Sequence, residues 1–236
     1  AKWLSDNHDF ILCYAKNKDI WRPNLLPRSA AANARYTNRD NDPRGQWKSS
    51  DLSVKSYSKN CDFEITTPSG RTAKPPLGGC WRVTKIKFEE MVADNRIWFG
   101  EDGSNVPSIK RFLSEVKDGI TPLTIWTYQE VGHNQDAKKE LKALFKDTAE
   151  IFDTPKPTKL LNRIAQIGAD ENAVILDFFA GSGSLAHTAY LANAHNNTSV
   201  RCISVQLPEP LPNSTSNIAE LTKERLRRAA AKIQAE

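Results

Sequence analysis

Residues 173–194 limit the folds open to this chain more than any other stretch. Ala173-Val-Ile-Leu-Asp177 is an apolar run that ends in an acid, and Phe178-Phe-Ala-Gly-Ser-Gly-Ser184 follows as a tight glycine-bearing turn. Leu185 to Ala194 continues as an amphipathic segment. A short apolar run bounded by a turn reads as a strand buried on both faces, which calls for parallel neighbours and a covering helix. Arg201-Cys-Ile-Ser-Val-Gln206 supplies a second such run beyond the helix, so a βαβ unit is predicted. The fold class is therefore α/β, with a ligand expected outside the carboxyl end of the first strand. The plain alternative is a strand-to-helix turn whose glycines only satisfy positive φ.

The turn is not a Walker loop and lacks the full dinucleotide fingerprint. No Gly-Lys-Ser/Thr follows it, and Ala186 stands where the dinucleotide fingerprint has its last glycine. Asp177 suits a ligand carrying an ammonium group, and Phe178 and Phe179 offer faces for an adenine. S-adenosylmethionine (SAM) has both groups and no phosphate, and is the cofactor these residues predict. No metal is expected. Cys13, Cys61, Cys80 and Cys202 form no Cys-x-x-Cys pair, His8, His133 and His195 sit at no ligand spacing, and His187 lies on the helix after the loop. No apolar run approaches the ~20 residues of a membrane-spanning helix, and no signal-peptide pattern opens the chain, so a cytoplasmic protein without a membrane partner is expected.

Charge is unevenly placed. From Lys16 to Glu90 there are 15 Lys and Arg against 8 Asp and Glu, although the whole chain carries only +5. Trp21, Tyr36, Trp47, Tyr57 and Trp81 are interleaved with these cations. Basic and aromatic residues in a stretch rich in Pro, Gly, Ser and Asn suit a nucleic-acid surface, the bland alternative being a solvated insertion. Arg39, Arg44, Trp47, Lys48, Arg71, Lys74 and Arg82 are the candidate DNA contacts.

Local signals predict the other elements. Asp9 to Ala15 reads as a buried strand and Asn41 to Gly45 as a turn. Short strands are predicted at Phe63–Thr66, Trp81–Val83, Arg96–Phe99 and Thr124–Tyr128. Helices are predicted from Lys85 to Ala93, with Thr84 as N-cap and Ile86, Met91 and Val92 apolar, and from Pro107 to Val116 as a basic amphipathic segment. Further helices are predicted over Asp136–Phe145, over Thr158–Gly168 after Pro157, and over Asn217–Glu236 with Arg225, Arg227 and Arg228 on exposed turns.

Several motifs, taken in order, resemble a known family. Phe152-Asp-Thr-Pro-Lys-Pro157, Ile175-Leu-Asp-Phe-Phe-Ala-Gly-Ser-Gly183 and Cys202-Ile-Ser-Val-Gln-Leu-Pro-Glu-Pro210 resemble the cofactor half of DNA amino-methyltransferases. Asn41-Asp-Pro-Arg-Gly-Gln-Trp47, Thr66-Thr-Pro-Ser-Gly70, Pro75-Pro-Leu-Gly-Gly-Cys-Trp81, Arg96-Ile-Trp-Phe-Gly100 and Glu130-Val-Gly-His133 are similar to the modification (Mod) subunit of type III restriction-modification systems. The resemblance implies a partial, Rossmann-like SAM-dependent methyltransferase sheet with an α+β target-recognition insertion. It places a strand of the catalytic sheet at 1–20, the target-recognition region at 21–148 and the SAM-binding half at 149–236. It also implies that Asp177, Phe178, Phe179, Gly181, Gly183 and Ser184 lie against SAM, with Thr154, Lys156 and Pro157 closing its methionine side. Gln206 takes the position of the residue that accepts from the ribose hydroxyls, with Glu209 three residues on. Implied partners are double-stranded DNA, the restriction (Res) nuclease/helicase subunit and a second Mod copy.

The implied activity is site-specific adenine-N6 methylation, with N4-cytosine transfer as a close variant. The family readies the acceptor amine with an Asp/Asn-Pro-Pro-Tyr/Phe motif, whose aromatic stacks on a flipped base. That motif is absent: Lys74-Pro-Pro-Leu77 has the wrong ends and Asp42-Pro-Arg44 lacks the second proline. The expectation is therefore an internal piece of a longer protein, inactive alone, with the motif before Ala1. A complete, divergent protein is the alternative. A non-catalytic DNA- and SAM-binding module is the competing function, and a Rossmann oxidoreductase is disfavoured by the incomplete glycine fingerprint.

Overall fold

A computed structural model describes residues 3–4, 7–147, 152–196, 198–211 and 216–236. Two compact units emerge: Pro27–Gly119, and a second built from Ala1–Leu26 together with Ile120–Glu236. Residues 120–147 thus group with the glycine-loop half.

In the 27–119 unit, Ser29 caps the single turn α1 (Ala30–Asn33). Strand β1 (Trp47–Asp51) is followed by two antiparallel ribbons. One ribbon pairs β2 (Ser53–Val54) with β5 (Cys80–Trp81), the other β3 (Ile65–Thr66) with β4 (Thr72–Ala73). Helix α2 (Lys85–Ala93) starts at Thr84, whose side chain accepts from the Lys87 N–H. Its buried face is Phe88 with Met91 behind it, whereas Ile86 and Val92 are exposed. Strands β6 (Ile97–Trp98) and β7 (Ser108–Phe112) complete a three-stranded antiparallel sheet in the order β1-β7-β6, with Trp47 opposite Phe112 and Ile97 opposite Ile109. Leu52, Ile65, Trp81, Phe88, Ile97 and Ile109 form the core.

The helix predicted over Pro107–Val116 is instead this central strand, followed by a single 3-10 turn at Leu113–Glu115. Ile109, Phe112 and Val116 mimic a helical stripe in sequence. The strand's period-2 pattern is hidden because Lys110, buried between Ile109 and Arg111, is held by Asp40 and Asp42 from far along the chain. Tertiary ion pairing overrode the local signal.

In the other unit, a capping box between Thr127 and Glu130 opens the short α3 (Tyr128–Val131), where a strand over Thr124–Tyr128 was expected. Trp126 donates to Leu123 O at 2.7 Å, closing a turn that takes this segment out of extended geometry. Helices α4 (Asn134–Leu144) and α5 (Thr158–Gly168) follow. Strand β8 (Val174–Asp177), helix α6 (Ser184–Asn196) and parallel strand β9 (Arg201–Ser204) form the predicted βαβ unit. Contrary to expectation the strands are not buried on both faces, since Val174, Leu176 and Ile203 are exposed. Asn217 caps α7 (Ile218–Ala235). Helix α6 packs against α5, α7 and β9. The strand expected at Asp9–Ala15 is not formed: Phe10, Ile11, Leu12 and Tyr14 are exposed and no ladder bond reaches them. An extended segment without a paired neighbour among the described residues has nothing to bury its two faces.

Candidate cofactor site and recognition surface

The glycine loop is built on the ends of two strands. In the parallel ladder Asp177 faces Ser204, and beyond it the Val205 N–H donates to Asp177 O at 2.8 Å. The Asp177 carboxylate turns back to accept from the Phe179 N–H at 3.2 Å. Ala180 N–H donates to Val205 O at 3.1 Å, and Gly181 N–H to Gln206 Oε1 at 2.8 Å. The turn is thereby tied to the continuation of β9, with Phe178 and Phe179 left 64% and 91% exposed at its crest. Gly181 and Gly183 have φ of +52° and +76°. A Cβ at Gly183 would lie 3.0 Å from Thr222 Cγ2, and one at Gly181 3.4 Å from Phe152 Cζ. Positive φ favours glycine at both positions, and at Gly183 the close approach of Thr222 does so as well.

A second wall comes from the Phe-Asp-Thr-Pro-Lys-Pro segment. Phe152 is half-buried over Gly181, Pro155 and Pro157 are buried, and Thr154 and Lys156 are exposed. Lys156 pairs with Asp9 at 3.2 Å. A Cβ at Gly132 would stand 3.1 Å from Pro157 Cβ, so the Glu130–His133 segment meets this proline. The structure thus brings the Phe152–Pro157 segment to the loop through Phe152. Gln206 joins them, although one lone pair of its amide oxygen is occupied by Gly181. Ser184 is buried, and its hydroxyl accepts from Arg225 Nη1 at 2.7 Å rather than facing outward. The turn thus presents an exposed aromatic crest beside a strand-tip carboxylate, groups suited to an adenosyl and amino-acid ligand such as SAM.

Four residues at this loop were missed or misplaced by sequence reasoning: Thr222, Arg225, Ser182 and His187. Arg225, expected on an exposed turn, is fully buried. The signal was available, because Leu221, Thr222, Arg225 and Ala229 form one helical stripe and are the buried residues of α7.

In the 27–119 unit the Asn41–Trp47 motif forms an ionic knot. Arg44 holds Asp42 with two bonds of 2.9 Å, reaches Asp94 O at 2.8 Å and lies 4.3 Å over the Phe112 ring. Asn95 donates to Asp42 at 3.1 Å, and buried Lys110 bonds both Asp40 and Asp42. Hydrogen bonds from Arg44, reinforced by Lys110 and opposed by burial, hold the Asp42 carboxyl well below the usual carboxylate range.

Trp47, placed among the DNA contacts by its sequence setting, is 0% exposed and donates its indole N–H to Asp40 at 2.8 Å. It has no surface to offer, because the ring is the floor of the knot. Arg44 is largely committed within it. The other candidates reach solvent in three groups. Arg39 stacks 5.6 Å over the Trp47 ring, near Lys48 beside Tyr36. Arg71, bonded to Ser104 O, and Lys74, paired with Glu64, flank β4. Arg82 follows β5 and donates to Asp51 O.

A DNA methylase family model, N6_N4_Mtase, matches residues 1–207. The chain belongs to the DNA methylase family. Members are DNA methyltransferases, and the βαβ unit observed here is part of their Rossmann-like α/β architecture. Within that family the chain is 32% identical over 242 residues to the type III restriction-modification enzyme StyLTI Mod subunit of Salmonella typhimurium (strain LT2), covering 98% of this chain and 36% of that protein. It is 31% identical to the EcoP15I Mod subunit of Escherichia coli over 72% of this chain and 27% of that subunit. The type II methyltransferase M.KpnI of Klebsiella pneumoniae is 32% identical over 46% of this chain and 25% of its own length. The chain spans about a third of the length of the Mod subunits it matches. Among the described residues no helix is long and apolar enough to cross a membrane.

Proposed function

We propose that this chain is the cofactor-binding and DNA-recognition portion of a SAM-dependent, site-specific adenine-N6 methyltransferase of a type III restriction-modification system. The observation that carries the reading is the glycine loop. Gly181 and Gly183 let the turn pack under Phe152 and against Thr222, Asp177 stands at the strand tip, and Phe178 and Phe179 are exposed at the crest. SAM, when bound, supplies an electrophilic methyl group. The chain's own part is to bind and orient it: Asp177 takes the ammonium end, Phe178 and Phe179 flank the adenine, and Thr154, Lys156 and Pro157 line the methionine side. Gln206 offers its remaining lone pair to the ribose.

Orientation of this kind supplies much of the rate in a transfer whose donor is already activated. The acceptor amine must also be held with its lone pair free of the base's π-system. The 236 residues contain no Asp-Pro-Pro-Tyr to do this, so the chain alone is inactive. Arg39, Lys48, Arg71, Lys74 and Arg82 contact the phosphates of double-stranded DNA, and the Res subunit and a second Mod copy are the protein partners, in the cytoplasm.

The test is calorimetry with SAM, followed by transfer of labelled methyl from SAM to duplex DNA. SAM binding without transfer is expected. A folded chain that fails to bind SAM overturns the cofactor assignment, and transfer by the chain alone overturns its inactivity. For an intact methyltransferase containing this sequence, N6-methyladenine is the expected nucleoside, and N4-methylcytosine would move the reading to the cytosine branch.

A further inference from the structure

Arg225 has an unusual environment for a cation. Its side chain is fully buried in α7, and none of its hydrogen-bond partners is a carboxylate. Nη1 donates to Ser182 Oγ at 2.8 Å and Ser184 Oγ at 2.7 Å, with Ser182 O at 3.4 Å, and Nη2 lies 3.4 Å from His187 Nδ1. Nε has no hydrogen-bond partner among the described residues. Glu140 contributes only at longer range, its carboxylate being bonded to the Thr158 N–H. Burial opposes the charge, and an apolar residue of the same length would fill the space without desolvating a cation.

All the groups that Arg225 does bind belong to the glycine loop or the first turn of α6. One turn earlier on the same face of α7, Thr222 Oγ1 lies 2.5 Å from Gly181 O and 2.9 Å from Ile218 O, its one proton shared between them. The Thr222 methyl is also the atom that closes the space over Gly183.

We infer that α7 is a clamp on the glycine loop, with Arg225 and Thr222 as positioning residues that hold Gly181–Ser184 in its cofactor-receiving shape. Among the described residues the loop is supported by Val205 and Gln206 just beyond β9, by Phe152 above Gly181, and by this pair from α7. Of these, only the α7 pair grips both the carbonyl of Gly181 and the two serine side chains. The guanidinium fork matters as well as the charge, since one nitrogen spans two hydroxyls while the other faces an imidazole. For Nδ1 to accept from Arg225, His187 must be neutral with its proton on Nε2. Burial, together with the Arg225 and Lys232 charges, favours that state by pushing His187 down to about 4.

The inference rests on the SAM assignment for its purpose but not for its geometry, and the experiment separates the two. Hydrogen–deuterium exchange of the 178–184 backbone is followed in the ligand-free chain for wild type, Arg225→Met, Arg225→Lys and Thr222→Val. SAM affinity is measured on the same preparations. Arg225→Met is expected to speed loop exchange by on the order of tenfold or more, the worth of hydrogen bonds to a charged group. Thr222→Val, which keeps shape and fold, acts in the same direction, and Arg225→Lys recovers part of the loss. SAM affinity falls in the same rank order. Wild-type loop exchange in both Arg225→Met and Thr222→Val overturns the clamp. So does acceleration spread evenly through α5, α6 and α7, which would mean a merely structural residue. A wild-type chain that does not bind SAM refutes the cofactor assignment alone, and the exchange rates still decide the clamp.

Discussion

His187→Gln tests the electrostatics beneath the loop in a single pH series. In the unfolded chain the imidazole takes up its proton around pH 6.5, but in the fold burial, with Arg225 and Lys232 nearby, delays this to about 4. Between those values the unfolded chain binds more protons, so stability falls as the pH falls; above 6.5 the contribution is complete. One pH unit of separation is worth about 1.36 kcal/mol. Acidification from pH 6.5 to 5 therefore removes about 2 kcal/mol, and the full descent to 4 about 3 kcal/mol. Urea unfolding followed by far-ultraviolet circular dichroism, which reports mainly on α4 to α7, measures the slope. Comparison with His187→Gln cancels every other titrating group. Wild type should lose about 2 kcal/mol more than the variant over that interval. Equal slopes for the two proteins would refute the buried, neutral imidazole and the hydrogen-bond arrangement argued for Arg225.

Other perturbations probe separate parts of the molecule. Lys110→Met strands Asp40 beside Trp47 and should destabilise the 27–119 unit by about 3–5 kcal/mol, the cost of breaking a buried pair, measured by urea unfolding with tryptophan fluorescence. The same unit should lose stability as pH falls through the acid range below about 4. Asp42 is held as a carboxylate in the fold, so its contribution is present above its unfolded value and lost on acidification, and Asp42→Asn should flatten that limb. Gly183→Ala, at φ +76° with Thr222 Cγ2 3.0 Å away, should cost about 1–2 kcal/mol and weaken SAM binding in calorimetry. Alanine at Arg71 or Arg82 should lower DNA affinity and shallow its salt dependence by about one counterion, whereas Arg44→Ala should act first on thermal stability.

The parts legible in sequence were those whose cause is local. An apolar run, two glycines and a second apolar run sufficed for β8, α6 and β9, and Thr84 marked the start of α2 by a side-chain cap that the structure contains. What escaped was decided by distant partners. Lys110 is a strand residue turned inward by aspartates about seventy positions away, so β7 looked like a basic helix. Trp47 reads as a surface aromatic among cations, yet Asp40 draws its indole into the core. Arg225 reads as exposed because arginines usually are, and only the fold shows two serine hydroxyls waiting for it. In the candidate site, Asp177 and the glycines were visible as a motif, while the residues holding that motif in place lay on a helix some forty positions later.

Leu26 and Ile120 exchange a pair of backbone hydrogen bonds, 2.9 and 2.8 Å long. The chain therefore leaves the glycine-loop unit and re-enters it at a single closed gate. Excising 27–119 and joining the two ends by a short turn would ask little of the remaining backbone, and so would grafting a different segment between them. A chain wired this way can exchange one continuous cassette of coding sequence, residues 27–119, without redrawing the glycine loop or the strands and helices that carry it.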